Sequence, residues 1–323
     1  MIATSQANTS SFPYLERPVK IGDQEWDIDL APLVSISCIT YNHEEVISQA
    51  LEGFLMQQTT FKVEVLVHDD ASSDRTAEII STYEKKYPQI FKVIYQKENQ
   101  YSKKVKIGYH FQYPRVNGKY YATCEGDDYW IDPLKLQKQI SLLEKNPDIG
   151  ACFTNALYLN EIDGTETSYA SSLESGVVPT NLIFQKGGSI YPTASIVLRK
   201  EFLDDPVFVQ VPELAGDELL IFSIASKSKV YFLNERTSVY RRWSGGVYSS
   251  IAKNKEKLVA YKMKDIKGYL KFDRYSQFKF TTLLKAKISK NSLYIVKNSR
   301  RISERLKYLR YLTFRQFLSL FMS

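Results

Sequence analysis

Residues 124–130 read CEGDDYW and place three carboxylates, Glu125, Asp127 and Asp128, within four positions. Like charges this close repel, so a fold that keeps them ionised together needs a compensating partner. Mg2+ and Mn2+ prefer oxygen donors, and Mg2+ typically takes one or two carboxylates and completes its shell with waters and substrate phosphates. The cluster therefore suits a divalent cation with positions left open for a diphosphate. The same residues also fit a solvated acidic turn, or a cap for a helix entered at Pro133 with Asp132 beside it. A second acid-rich stretch, HDDASSDRT at 68–76, carries Asp69 and Asp70. A carboxylate there can accept a hydrogen bond from an imide N–H such as that of uracil or thymine. The competing role is an Asx-turn leading into the next helix, expected of one of the two aspartates.

The elements that must position these acids alternate along the chain. VSISCITYN (34–42) and VEVLVHDD (63–70) are β-branched runs that predict strands, as do 91–96, 119–126 and 149–159. Between them, apolar residues recur at helical spacing over 44–58, with Val46, Ala50, Leu51, Phe54 and Leu55 on one face. Further helices are expected over 73–87, capped by Ser73 or Asp74 and stopped by Pro88, over 103–115, and over 133–146. A strand within 187–200, a helix at 217–228 and strands at 229–234 and 237–243 follow. This order predicts an α/β fold, a Rossmann-like, mostly parallel sheet with helices on both faces. Ligands of such sheets collect at the carboxyl ends of the strands. Asn42, Asp69, Asp70, Glu125, Asp127 and Asp128 all fall just past predicted strand ends, so topology can bring them to one rim.

The bulk properties narrow the partners. The chain has 323 residues, 44% of them apolar, enough for a large core and too many for global disorder. No secretory signal or membrane-spanning run stands out. Cys38, Cys124 and Cys152 sit in apolar, strand-like runs, which suggests reduced, buried thiols and a cytosolic setting. From residue 251 onward 19 Lys and Arg face 4 Asp and Glu, a balance of +15 against +7 for the whole chain, so residues 1–250 carry −8. An acidic front and a basic tail imply surfaces with different partners. His43 and His68 adjoin strand ends and read as local hydrogen-bonding residues; His110 falls in a predicted helix. Lys103, Lys104 and Lys106 form a solvated basic face within reach of a diphosphate.

In order, the segments 34–79 and 120–150 closely resemble the family 2 glycosyltransferases of GT-A fold, over roughly residues 31–250. Thr-Tyr-Asn after a strand, Asp-Asp-x-Ser-x-Asp-x-Thr, and an acidic motif followed by Pro and a helix carry the likeness. The resemblance implies that Thr40, Tyr41 and Asn42 line the nucleotide base, and that Asp70 reads its N–H. It assigns Asp127 and Asp128 to ribose, diphosphate and metal, with Asp128 and Glu125 as the metal ligands. Many relatives have Asp where Glu125 stands, and glutamate is one methylene longer. Asp217 in AGDELL matches the catalytic base, with Glu218 its neighbour and rival; an N-cap of the helix beginning at 218 is the structural alternative for Asp217. An ordinary aspartate is already ionised at neutral pH, so such a base requires no large shift. Where many relatives carry a His two residues after an Arg, this chain has Trp243, and Arg242 is the substitute for the diphosphate contact. Gly245 and Gly246 suggest a loop that closes over the donor.

The implied function is inverting transfer of a sugar from a UDP or dTDP donor, with Mn2+ or Mg2+, to a glycan or lipid-linked acceptor in bacterial polysaccharide synthesis. A sugar-1-phosphate nucleotidyltransferase is the second reading, although TYNHEE lacks the Gly-rich, basic loop it needs. A non-catalytic, membrane-attached scaffold is the third. The expected organisation is a leader (1–30), a GT-A domain (31–250, with 31–160 for the nucleotide sugar and 161–250 for the acceptor), and a basic helical extension (251–323). In 301–322, Ile302, Leu306, Leu309, Thr313, Phe317 and Leu320 fall on one helical face. Such a helix can lie at the inner face of a membrane, drawn by anionic lipids at roughly 1 kcal/mol per basic residue. Docking on the catalytic domain or on a second copy of the chain is the equal alternative. No motif for nucleic acid accompanies the charge.

Overall fold

The structure is a computed structural model that describes residues 12–170, 172–242, 251, 254–318 and 320. The chain divides into two compact units, Met1–Lys145 with Val197–Lys200, and Asn146–Ile196 with Glu201–Ser323.

The first unit carries a sheet built from β1 (Val34–Thr40), β2 (Val63–Asp69), β3 (Phe91–Tyr95) and β4 (Tyr120–Thr123). β1 pairs in parallel with β2 and β4, and β2 with β3. The short strand Val197–Arg199 runs antiparallel on β4. Helix α1 (Ile47–Leu55) connects β1 to β2, α2 (Thr76–Lys86) connects β2 to β3, and α3 (Lys135–Lys145) follows β4. All seven residues of β2 are buried, Glu64 and His68 included. A buried glutamate in a central strand must be fully hydrogen-bonded. Glu64 accepts from Ser35 Oγ at 2.6 Å, Lys92 Nζ at 2.7 Å, Asn117 N at 3.0 Å and Asn117 Nδ2 at 3.1 Å. Residues 12–30 lead into the sheet, and Val19–Lys20 pairs antiparallel with Gln58–Thr59.

Two expectations are corrected here. Helix α1 begins at Ile47 rather than 44; Val46 N and Ile47 N close a turn on His43 O, at 3.0 and 2.8 Å, and the N–H groups of His43 and Glu44 donate to Thr76 Oγ1 and Asp74 Oδ2. The helix expected over 103–115 is instead a π turn, Gly108–Gln112, followed by a 3-10 turn, Tyr113–Arg115. Lys104 has a left-handed φ of 63°, which no continuous helix tolerates.

The second unit holds β5 (Ile149–Asn160), α4 (Thr180–Lys186), α5 (Gly216–Lys227) and β6 (Lys229–Arg242). β6 runs parallel to β5 as one strand, where two were expected. Register shifts between Leu233 and Ser238 interrupt its apolar alternation without ending it, as a β-bulge does. Helices α6 (Lys255–Tyr275), α7 (Thr281–Asn298), α8 (Ile302–Leu309) and α9 (Phe314–Leu318) follow. The first two are docked within this unit. Phe184 stacks on Phe222 and on Phe280, both at 4.4 Å, and Phe272 lies 5.4 Å from Phe222. Buried Asp205 accepts from Lys227 Nζ at 2.7 Å and from Tyr275 Oη of α6 at 2.5 Å. The continuous amphipathic helix expected over 301–322 is broken. Thr313 N donates to Gln316 Oε1 at 3.0 Å and Gln316 N donates to Thr313 Oγ1 at 3.3 Å, a capping box that starts α9.

Hydrogen bonds to its ionised form hold the Glu64 carboxyl below the usual glutamate range despite burial. A depressed folded pKa gives stability that is present above the unfolded value and lost as pH falls through the folded one. Urea unfolding should show Glu64→Ala destabilised by about 3–5 kcal/mol at pH 7. The difference should narrow below the ordinary glutamate range; a constant difference at all pH values would contradict the assignment.

Candidate active site

The parallel register of the first unit sets the site. Thr40 lies opposite Asp69, and Ser37 opposite Thr123, so β1, β2 and β4 end on one edge. Backbone bonds carry the pairing past the strand ends, from Asp70 N to Thr40 O at 3.0 Å and from Gly126 N to Ile39 O at 2.9 Å. Thr40, Tyr41, Asn42, Asp70, Glu125, Asp127 and Asp128 are thereby gathered along one rim. Tyr41 and Glu125 are exposed, Asp127 is half-buried, and Asp70 and Asp128 are buried.

Most of the DDASSDRT side chains stitch two loops together. Ser72 Oγ accepts from Asn42 N at 2.9 Å, and Asn42 Oδ1 accepts from Ser73 N at 2.8 Å. Asp74 accepts from Thr76 N at 3.0 Å, a turn just ahead of α2, whose N-cap is Arg75 rather than the expected Ser73 or Asp74, and Glu44 Oε2 accepts from Arg75 N at 3.0 Å. Asp69 accepts from Ser72 N at 3.2 Å and from the Ser72 hydroxyl, so the Asx-turn belongs to Asp69. Burial raises the Asp69 pKa against those bonds. Asp70 accepts from Gln100 N at 2.7 Å and Tyr101 N at 3.0 Å, and buried His68 Nε2 lies 3.6 Å away. Asn42 and Ala71 take left-handed φ values of 54° and 63°. For alanine this costs roughly 1–2 kcal/mol, strain of the kind that gathers at functional sites.

The 125–128 acids face the end of β1. Burial raises the pKa of Cys38, and the field of Asp127, Glu125 and Asp128 raises it further. His43 bridges the two halves of the rim, with Nδ1 at 3.0 Å from Thr40 Oγ1 and Nε2 at 4.0 Å from Asp127 Oδ2. The local hydrogen-bonding role expected of His43 is met at Thr40, and Asp127 lies beyond hydrogen-bond distance of its other nitrogen. Gly126 makes this approach possible. Among the described residues no three His, Cys, Asp or Glu side chains form a preformed metal cage. An all-oxygen donor set of one or two carboxylates nevertheless fits a hard cation that arrives with a diphosphate.

In the second unit Asp217 and Glu218 occupy the first turn of α5, where the helix dipole favours acids. The N-cap is Ala215, so Asp217 is not the cap. Burial raises the Asp217 pKa; the backbone N–H groups of Glu218 and Asp217 oppose the rise, and the charge of Lys287 adds to them. Its ionisation therefore depends on surroundings that an isolated aspartate would not need. Glu218 is buried; Lys287 Nζ lies 2.7 Å from Oε1, and Tyr269 Oη donates to Oε1 at 3.2 Å and Oε2 at 3.3 Å. Sequence reasoning missed Lys287 and Tyr269, which sit on the docked helices α7 and α6. Arg242 is exposed at the end of β6, with Nη1 donating to Tyr158 Oη at 3.4 Å, while Arg241 pairs with Glu161. Trp243, Gly245 and Gly246 lie outside the described residues.

The rim and its motifs define a family 2 glycosyltransferase. A model of glycosyl transferase family 2 matches residues 35–204, more than half of the chain, and the chain belongs to that family. The uncharacterized protein Rv1520 of Mycobacterium tuberculosis is 34% identical over 228 residues, 69% of this chain and 63% of that protein. The chain thus aligns with less than two thirds of that relative. S. aureus TarS 1–349 in complex with UDP-GlcNAc superposes with a TM-score of 0.56 at 16% identity, covering 88% of this chain and 82% of the other. The mannosyltransferase PcManGT from Pyrobaculum calidifontis, in complex with GDP-Man and Mn2+, gives 0.53 at 14% identity, with 93% and 81% covered. At these identities the likeness is one of fold, and the fold is GT-A.

A Cβ at Gly126 would lie 2.6 Å from Thr40 Oγ1 and 3.0 Å from His43 Nδ1. Gly126→Ala should therefore cost about 1–3 kcal/mol in thermal unfolding. It should also weaken uridine diphosphate binding measured by calorimetry, whereas unchanged stability and affinity would refute the close approach.

Proposed function

We propose that the chain is an inverting glycosyltransferase that moves a sugar from a UDP or dTDP donor to a hydroxyl of a glycan or lipid-linked acceptor in bacterial polysaccharide synthesis. The observation that carries this reading is the register that brings Thr40–Asn42, Asp70 and the 125–128 acids to one strand-end rim. Residues 31–160 are assigned to the nucleotide sugar and 161–250 to the acceptor. Asp70 spends two lone pairs on backbone N–H groups, and a carboxylate has roughly four acceptor positions, so the base N–H can still be read. Asp128 with Glu125 would hold Mn2+ or Mg2+, and Asp127 the ribose and diphosphate. The cation, when bound, would offset charge on the departing nucleoside diphosphate. PcManGT, of the same fold, binds GDP-Man with Mn2+, and TarS binds UDP-GlcNAc, which supports both the donor class and the metal.

Asp217 takes the proton of the acceptor hydroxyl as its oxygen bonds to the anomeric carbon. The bond from that carbon to the diphosphate oxygen breaks, and its electron pair leaves with the nucleotide. One displacement inverts the anomeric configuration. Glu218, the rival base, is engaged by Lys287 and Tyr269, which favours Asp217. Arg242, exposed at the end of its strand, is the basic group for the diphosphate.

Two variants separate the roles. Asp128→Ala should abolish the Mn2+ dependence of UDP binding in calorimetry. Asp217→Ala should bind UDP normally and lose transfer by about 10²–10⁴-fold in a donor screen across nucleotide sugars. Normal transfer by Asp217→Ala would move the base elsewhere, and indifference of the wild type to both UDP and Mn2+ would favour a non-catalytic scaffold.

The basic tail supports peripheral membrane attachment. Among the described residues no helix is long and apolar enough to cross a membrane. Ile302, Leu306 and Phe314 are 72%, 63% and 77% exposed, next to Arg301, Arg305, Arg310 and Arg315. Apolar groups in water beside basic ones suit an anionic lipid surface better than a helix docked within the chain. Flotation with phosphatidylglycerol vesicles should recover the protein, and Leu306→Asp with Phe314→Asp should release it. Equal recovery with neutral vesicles, or a concentration-dependent dimer lost in the same variants, would count against this.

A further inference from the structure

The C-terminal helices reach the first turn of α5 with charge. Lys287 of α7 lies 2.7 Å from Glu218, both side chains are nearly buried, and its Nζ sits 5.6 Å over the Phe222 ring and 5.4 Å over that of Tyr269. Tyr269 of α6 donates to both oxygens of the same carboxylate. The chain opposite is glycine twice. Gly187 has a φ of 64°, and a Cβ there would overlap Glu218 Oε1 and crowd Lys287 Nζ. A Cβ at Gly188 would overlap Asp217 Oδ2. Tyr191 Oη donates to the Asp217 carbonyl at 3.0 Å. The backbone at 187–188 is therefore pressed onto both acids, and Lys287 Nζ lies against Gly187 beside Glu218.

We propose that Lys287 is a positioning residue for the transfer reaction: the basic C-terminal extension supplies a cation that pairs Glu218 and so keeps the neighbouring Asp217 an available carboxylate. The inference rests on Asp217 being the base. Its geometry assigns opposite tasks to two adjacent acids. Glu218 is held at three points and cannot swing to an acceptor without breaking a buried ion pair. Asp217 takes no share of that pair through its side chain but feels its charge.

The surrounding groups set the sign of the effect. Burial pushes both acids up, the charge of Asp217 raises Glu218 further, backbone N–H groups of Glu218 and Asp217 lower Asp217, and Lys287 lowers both acids. From α6, Asp265 is raised to about 7 by burial and by Glu218, and Lys262 is lowered by burial. Lys264 and Lys290 act on that outer pair. Removing Lys287 thus leaves Asp217 beside an uncompensated negative neighbour, whereas removing the charge of Glu218 leaves Lys287 acting on Asp217 alone.

The test is the titration of the Asp217 carboxyl carbon by NMR in the full chain labelled at aspartate, assigned with Asp217→Asn. Lys287→Met should raise the Asp217 midpoint by about half a pH unit or more, and Glu218→Gln should lower it, as expected for charges a few ångströms away. A role in folding alone would not move one group in opposite directions. If Lys287→Met does not fold, the downward shift in Glu218→Gln still decides the matter. Midpoints that stay together in all folded variants overturn the proposal. The acid limb of transfer against pH, followed with whichever nucleotide sugar the wild type consumes, should move with the midpoint. Full transfer by Asp217→Asn would instead sink the base assignment while leaving the NMR shifts in place, so the two failures are distinguishable.

Discussion

Repulsion among carboxylates at the end of a parallel sheet is the constraint around which the first unit is built. β1, β2 and β4 end together, and five acids from the ends of two of them, β2 and β4, meet there. Burial raises the pKa of the Cys38 thiol, and the field of Asp127, Glu125 and Asp128 adds to it. Two of the five are absorbed by backbone N–H groups, Asp69 by Ser72 and Asp70 by Gln100 and Tyr101. Such bonds favour the charged form without any cationic side chain. Asp127 faces His43, and Asp128 is buried close to it in sequence. The negative charge is thus concentrated on the side of the rim where a diphosphate and its cation are proposed to bind.

The second unit solves the same problem with a different device. Asp217 and Glu218 are adjacent acids in one helical turn, and a lysine from a helix about seventy positions later compensates them. That solution requires the extension to be docked. The stacked ring cluster of Phe184, Phe222, Phe272 and Phe280, and the bonds of Asp205 to Tyr275 and Lys227, do this. Aromatic burial of this kind is worth several kcal/mol in aggregate. The extension is divided in task. Its first two helices belong to the core of the unit, while Ile302, Leu306, Phe314 and Phe317 present apolar side chains to solvent alongside basic ones.

What the chain disclosed before its structure followed from locality. Strand order, the rim and its acids were legible because β-branched runs and the residues just past their ends are neighbours in sequence. The break between α8 and α9 was also written locally, as Thr313-x-x-Gln316, but helical periodicity outweighed it. The bulges of β6 at Asn234–Thr237 looked like a turn because polar residues there interrupt the alternation. The irregular 103–115 segment read as a helix because periodicity carries no record of a left-handed residue such as Lys104. Lys287 and Tyr269 could not be found this way. Both sit on helices whose sequence shows ordinary basic and aromatic residues, and only tertiary packing turns them toward Glu218.

The loops on the rim also explain why DDASSDRT is longer than any one contact requires. Electrostatic catalysis depends on groups fixed before charge develops, so that no reorganisation is needed at the moment of reaction. Asn42, Ser72, Ser73, Asp74 and Thr76 fix the 41–44 loop to the 70–76 loop through side-chain bonds to backbone N–H groups. Those bonds over-determine the backbone enough to hold Asn42 and Ala71 in left-handed conformations. Net contributions near 1 kcal/mol per bond are enough to offset that strain. The strained residues flank the exposed Tyr41 and the buried Asp70. The loops therefore hold the backbone that carries Tyr41, and Gln100 N and Tyr101 N hold the Asp70 carboxylate, the two residues proposed to meet a planar base with an imide N–H.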